Sequence, residues 1–152
     1  METEMTIQAI ETTGERLSCL RSALLAANLP ADDIELPGRT FFEFEEDGAT
    51  VGWGGFELHG TDGLLRSVVV EPSFRSKGIG SSLLTLIEHL AAERGATRLH
   101  LLTTSASRFF EQQGYQLQPR GTEPTLIAQT EQFKHLCPGS ASYLCKTVAG
   151  AA

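Results

Sequence analysis

The chain has 152 residues, a formal net charge of −7, 41% apolar and 20% charged residues, enough for one domain, 1–152, with a substantial core. An acidic body repels phosphate backbones, which argues against general nucleic-acid affinity, and no apolar run nears the roughly 20 residues that span a bilayer. The acidic start Met1–Met5 lacks the basic-then-apolar order of a secretory signal. Cys19, Cys137 and Cys145 are an odd count with no disulfide framework, so a reducing cytoplasm is the expected compartment.

Taken in order, Thr12 and Glu15 are spaced as a capping box. Leu17, Leu20, Leu24 and Ala27 then mark one helical face, which Asn28-Leu29-Pro30 stops. Residues 30–39 read as a loop with room for one helical turn. Thr40–Glu46 is a phenylalanine-rich strand, Asp47-Gly48 a two-residue hairpin turn, and Ala49–Leu58 the returning strand. Gly52, Gly54 and Gly55 would weaken that strand unless something packs close against its backbone. Gly60-Thr61-Asp62-Gly63 is a second turn, and Leu64–Val70, almost wholly apolar, reads as a central strand covered on both faces.

Gly78–Arg94 is the strongest helix pattern, with Leu83, Ile87, Leu90 and Ala91 on one face and Gly95 at the cap. Thr97–Thr103 follows as a strand, and a helical crossover implies that it runs parallel to Leu64–Val70. Ser105-Ala106-Ser107 opens a short helix through Phe109, Phe110 and Gln113, closed by Gly114. Tyr115–Gln118 is a strand, Pro124 fits the first turn of a helix running to Leu136, and Cys137-Pro138-Gly139 breaks it. Ala141–Val148 forms the last strand, whose edge could pair across a homodimer.

The chemistry concentrates where Val68-Val69-Val70-Glu71-Pro72 gives way to Ser73-Phe74-Arg75-Ser76-Lys77-Gly78-Ile79-Gly80-Ser81. A loop feeding a helix N-terminus offers unpaired N–H groups at the positive end of a dipole, a setting for phosphate. Gly78 and Gly80 permit close approach, and Arg75 and Lys77 add charge. No Gly-Lys-Ser/Thr follows at the spacing of a Walker loop, and the third glycine of a dinucleotide fingerprint is missing. An ordinary strand-to-helix turn is the competing reading.

Arg75-Ser76-Lys77-Gly78-Ile79-Gly80 after Val70-Glu71-Pro72 resembles the acyl-CoA signature of the GCN5-related N-acetyltransferase superfamily. The order of elements around it matches the same superfamily over roughly residues 7–148. Three blocks, Leu101–Thr104, Phe109-Phe110-Glu111 with Gly114-Tyr115, and Phe133 with Leu136–Ala141, are similar to the short acetyltransferases found with arsenic-resistance genes. The first two also resemble the acetyltransferase domain of N-acetylglutamate synthase. The resemblance implies an α/β (α+β) fold whose mixed central sheet has antiparallel N-terminal strands, a parallel splayed pair, and helices on both faces. It implies acetyl-CoA as cosubstrate, no metal, and a small-molecule amine as acceptor, amino-acid-like and including arsenic-containing analogues. A non-catalytic acyl-CoA-binding protein and a biosynthetic enzyme like N-acetylglutamate synthase are the alternatives.

Acetyl transfer to an amine needs a grip on the pyrophosphate, a polarised thioester, a base for the amine and a proton for the departing thiolate. The resemblance assigns the first to the backbone from Arg75 through Ser76, Lys77, Gly78, Ile79 and Gly80 to Ser81, and the second to the backbone of Val68 and Val70. A β-bulge usually splays that strand in relatives. Many relatives carry a glutamate on the strand that here is Leu64–Val70, which has no carboxylate before Glu71. Glu57 is the candidate base, acting through a water, with His59 on its face by the period of two; for each, a polar residue near a strand end is the alternative. Phe110 stands where many relatives have a proton-donating tyrosine, so water is expected to protonate the thiolate. Ser105 and Ser107 either hydrogen-bond the pantetheine or cap their helix. Arg66, in phase with Val68 and Val70, either binds a substrate carboxylate or pairs with Glu57; Arg39 and Arg108 are weaker candidates. His135, Cys137 and Cys145 lack compact metal spacing.

Overall fold

The computed structural model describes residues 6–75, 78–136 and 140–148. Its first strand, β1 (Gln8–Glu11), has three exposed residues of four, so neither alternation nor an apolar run announces it. Pairing defines it instead. It lies antiparallel to β2 (Arg39–Glu46), with Gln8 opposite Glu45 and Glu11 opposite Phe42.

Helix α1 (Arg16–Ala26) follows, and Leu20 and Leu24 are fully buried on its inner face. The expected capping box does not form. The N-cap is Glu15, which makes no side-chain cap bond. Thr12 is buried at the end of β1, with its N–H bonded to the Phe41 carbonyl and its hydroxyl donating to Ile10. Strand pairing has taken the hydroxyl that the sequence spacing offered to the helix. The other end stops as the sequence suggests: Asn28 takes φ 58°, and the Asn28 and Leu29 N–H groups reach back to the Leu25 and Leu24 carbonyls in a Schellman motif.

Strand β3 (Ala49–His59) returns from β2 through Asp47 and Gly48, both at positive φ (52° and 80°), the twist a two-residue hairpin requires. Gly60 and Thr61 turn the chain into β4 (Asp62–Val70). After a 3-10 turn (Pro72–Phe74) comes α2 (Ile79–Glu93), then β5 (Arg98–Thr103), α3 (Ser107–Gln112), β6 (Gln116–Gln118), α4 (Thr125–Ala128), a π-helical turn (Gln132–Leu136) and β7 (Ser142–Thr147). The seven strands hydrogen-bond in the order β1-β2-β3-β4-β5-β7-β6. β4 and β5 run parallel, Asp62 opposite Arg98 and Leu64 opposite His100, while β7 is antiparallel to both β5 and β6. This is the mixed sheet expected. Among the described residues, no helix is long and apolar enough to cross a membrane.

By their internal packing the described residues form two compact units, one from residues up to 55 with 67–87, the other from 56–66 with those from 88 onward. In the first unit, Leu20 and Leu24 pack with Ala31, Ile34, Phe41 and Val69, and half-buried Trp53 leans on this cluster. The β3 glycines have the close neighbours that justify them. A Cβ at Gly52 would strike Leu83 and the Val69 carbonyl, one at Gly54 would strike Ile87, and one at Gly55 would strike the Thr40 carbonyl and Phe41. Trp53 and Gly52 alternate along β3, so α1 and α2 cover opposite faces of the sheet within this unit.

In the second unit, Leu64, Ile127, Phe133 and Tyr143 form a core cluster, with Leu102 and Cys145 against it. The single helix expected from Pro124 to Leu136 is two pieces. Pro124 is the N-cap of α4, and Thr130 ends that helix by donating its hydroxyl to the Ile127 carbonyl. Its oxygen then accepts the Phe133 N–H, and the chain restarts as the π-helical turn. The expectation that the last strand offers an edge across a dimer is also corrected, because β7 has β5 on one side and β6 on the other.

Candidate active site

In the first unit, β4 ends in a backbone irregularity that composition gives no sign of. Ser67 sits at φ 62°, the left-handed region that a residue with a Cβ adopts at a cost of about 1–2 kcal/mol. Ser67 stands between Arg66 and the Val68–Val70 stretch that the two-residue period sets in phase with it. Beyond it burial alternates, with Val69 buried and Val68 and Val70 half-buried. The Glu71 N–H bonds to the Val51 carbonyl, and the Glu71 carboxylate caps the 3-10 turn through Oε2, accepting from the Ser73 N–H (2.9 Å) and hydroxyl. The Ser73 bonds, and to a lesser extent the nearby Arg75 charge, hold this carboxyl below the usual carboxylate range.

Arg75 is exposed and extended, and its Nε donates to the Val70 carbonyl at 3.3 Å. Ser76 and Lys77 lie outside the described residues. Gly78 takes φ 76°, which a side chain would resist, and delivers the chain into α2. Ile79 is buried and anchors the helix start, while Gly80 and Ser81 are half-buried beside it. The first N–H groups of α2 have no carbonyl one turn earlier in the helix to accept them. No acidic residue lies in that first turn, so the positive end of the dipole keeps its sign.

The second unit holds the titratable groups. Glu57 is 1% exposed, and its Oε2 accepts from the Arg66 Nη1 at 2.9 Å. Its Oε1 lies 3.1 Å from the His59 Nε2. The Arg66 side chain is wholly buried and His59 keeps 29% exposure. Of the two roles open to Arg66, the structure contains the internal pair. Arg39, the weaker candidate, pairs with buried Asp33 in the first unit, and Arg108 is exposed on α3.

Neither Ser105 nor Ser107 caps α3. The N-cap is Ala106, and Thr103 Oγ1 accepts the Ala106 N–H (2.9 Å) and the Ser105 N–H (3.4 Å). Phe110 is buried in an edge-on aromatic group with Phe109 and Tyr115. The Tyr115 hydroxyl donates to Glu88 at 2.9 Å, and Lys146 bridges Glu88 and the Gln113 carbonyl. Burial, and then the Glu88 charge, push the Tyr115 hydroxyl far above the ordinary phenol range. It is a fixed core donor.

Sequence reasoning passed over a second buried chain. His100 Nε2 lies 2.8 Å from Asp62 Oδ1, and its Nδ1 lies 2.7 Å from the Tyr143 hydroxyl. A carboxylate only accepts, so Nε2 carries the proton and Tyr143 donates to Nδ1. Burial lowers the His100 pKa against the opposing pull of Asp62. The three residues lie far apart in the chain, and only the β4–β5–β7 register brings them together.

The comparisons agree with this architecture. A model of the acetyltransferase (GNAT) family matches residues 7–115, and no curated protein is similar enough in sequence to match. The fold resembles N-acetylglutamate synthase from Neisseria gonorrhoeae complexed with coenzyme A and N-acetyl-glutamate, at 17% identity and TM-score 0.76, over 97% of this chain and 36% of that one. The present chain thus spans about a third of that relative's length. It also resembles Tetrahymena GCN5 (11% identity, TM-score 0.76, 95% and 98% of the two chains). An acetyltransferase of the GNAT family from Staphylococcus aureus is similar in the same way (18%, 0.74, 94% and 99%).

Proposed function

The chain belongs to the acetyltransferase (GNAT) family, and from that premise we propose that it acts as one catalytic domain, transferring acetyl from acetyl-CoA to the amino group of a small amino-acid-like molecule. The observations that carry the donor half are left-handed Ser67 ahead of Val68 and Val70, left-handed Gly78, and an α2 with no acidic residue in its first turn. The backbone N–H groups between Arg75 and Ser81 grip the pyrophosphate, with Lys77 adding charge, as anions are held at helix starts elsewhere. The backbone of Val68 and Val70 pairs with the pantetheine arm and faces the thioester.

Glu57 is the base. It takes the proton from the acceptor ammonium through a water, Arg66 holds its carboxylate in place, and half-buried His59 passes the proton to solvent. The freed amine attacks the thioester carbonyl, the C–S bond breaks, and the thiolate leaves with a proton from water. Phe110 has no proton to give, and Tyr115 is committed to Glu88. Arg66 therefore acts on Glu57 rather than on a substrate carboxylate. Ser105 and Ser107, free of capping duty, remain candidates for the pantetheine.

The similarity of the tail block puts phosphono- and arsono-amino acids among the acceptors to be tried. The deciding experiment measures thiol release from acetyl-CoA across amino acids and these analogues. Release with a subset of them supports the reading. Tight acetyl-CoA binding with no release on any amine of a broad panel points instead to a non-catalytic acyl-CoA-binding protein.

A further inference from the structure

Between Val70, whose backbone faces the pantetheine arm in the proposed reaction, and Arg75, where the anion turn opens, runs the short link Glu71-Pro72-Ser73-Phe74. The donor reading leaves its side chains without a role. By charge alone Glu71 is out of place, because a carboxylate just ahead of a turn that holds a diphosphate repels it.

The geometry gives that carboxylate a different use, and every contact lies within the first unit. The Glu71 N–H donates to the Val51 carbonyl of β3 at 2.8 Å, so the backbone there is fixed to the sheet. Forward along the chain, Oε2 accepts the Ser73 N–H at 2.9 Å and the Ser73 hydroxyl, and the Glu71 carbonyl accepts the Phe74 N–H at 2.8 Å. Pro72 has no N–H to satisfy and a φ already set for the turn. The Arg75 N–H then reaches the Pro72 carbonyl, and its Nε reaches back to the Val70 carbonyl, both at 3.3 Å. One carboxylate oxygen thereby ties the end of the sheet to the start of the turn. Ser73 is exposed, so water replaces the clasp when it is removed and no buried group is stranded. The fold can do without it.

We propose that Glu71 is a positioning residue for the donor: its clasp on Ser73 presets the direction in which the chain enters the turn that holds the diphosphate of acetyl-CoA, and this gain outweighs the repulsion between the two anions. The proposal rests on the donor half of the acetyltransferase reading. Glu71 acts through Ser73 and the turn, and takes no part in the proton transfer assigned to Glu57.

Calorimetric titration with acetyl-CoA, with no acceptor present, reads the clasp directly. Glu71→Ala should raise the dissociation constant on the order of tenfold, although it removes a negative charge. Glu71→Asp, which also caps through a carboxylate, should stay within about threefold of wild type. Glu71→Gln, neutral but still able to accept, should fall between the two. Ser73→Ala should weaken binding less than Glu71→Ala, and adding it to Glu71→Ala should cost little more, since both remove one interaction. In the transfer assay the loss in Glu71→Ala should fall on KM for acetyl-CoA, with turnover at saturation within about twofold of wild type.

A residue that only supported the fold would lower the melting temperature and the fraction of protein able to bind, and leave the dissociation constant of that fraction unchanged. That result overturns the proposal. Tighter acetyl-CoA binding by Glu71→Ala or Glu71→Gln, fading as salt is added, overturns it too, because repulsion would then be the larger effect. No binding of acetyl-CoA by the wild-type protein would overturn this role together with the donor half. Binding without transfer to any amine would sink the catalytic reading alone, and the dissociation constants of the variants would still decide the clasp.

Discussion

Glu57 and Arg66 illustrate how much a single contact decides. A buried ion pair is weak evidence of net stability, yet removing one partner strands the other, at about 3–5 kcal/mol. Arg66→Leu should therefore lower stability in urea denaturation by about that much, and Glu57→Leu/Arg66→Leu by less than the sum of the two single changes. Simple additivity would show that the two are not coupled. For catalysis, Glu57→Gln should reduce turnover by about a hundredfold or more and leave acetyl-CoA affinity intact. Unchanged kinetics would remove Glu57 from the mechanism.

His100 gives a pH prediction with a definite sign. Its folded pKa lies below that of the unfolded chain, so on acidification the unfolded state takes up the proton first. Stability is full above the ordinary histidine value of about 6.5 and is lost as pH falls from there toward the folded value. Melting temperature should fall between about pH 7 and about pH 5, and less steeply in His100→Gln. A slope equal to wild type would clear His100 of the effect. None of the His100 partnership was legible in the sequence, because Asp62 and Tyr143 are neighbours of His100 only through strand register. Glu57 was legible, since alternation on one strand places it beside His59, and a cation two residues short of Val68 invited a partner.

At the scale of elements, periodicity located what is long and what is punctuated. The hairpin at Asp47-Gly48, the α2 pattern and the Asn28 stop all follow from local chemistry, and the structure has each of them. Elements that depend on distant partners were illegible. β1 exists only against β2, Thr12 is claimed by the same pairing, and Thr130 splits a helix that apolar spacing alone would continue. The strand glycines carry an element-scale test. Gly55→Ala drives a Cβ into the Thr40 carbonyl, which belongs to a paired backbone, whereas Gly54→Ala meets the movable end of Ile87. The first should cost about 3 kcal/mol and the second about 1 in chemical denaturation. The reverse order would mean that β2 yields more easily than α2.

Over the whole molecule, the fold class was the most legible property, because the order of strands, turn and crossover helix is a local record of a global arrangement. The place of the last strand was not. Both edges of β7 are paired, so a chain ending at Ser140 would leave β5 and β6 without the strand that joins them. Such a truncation should lose cooperative melting and bury less surface, seen as a smaller urea m-value. Full cooperativity would mean that β7 is an accessory. Any homodimer would have to use a surface other than the edges of β7.

The donor half of the proposed function rests on left-handed Ser67 and Gly78 and on an α2 whose first turn has no acidic residue. The measurement that tests the central claim most directly mixes protein, acetyl-CoA and an amino acid acceptor and follows free thiol and acetylated amine together. One thiol should appear for each N-acetyl product, both at a rate that falls in Glu57→Gln. Thiol release without N-acetylation, or acetyl-CoA binding with neither product on a broad panel of amines, would contradict the account.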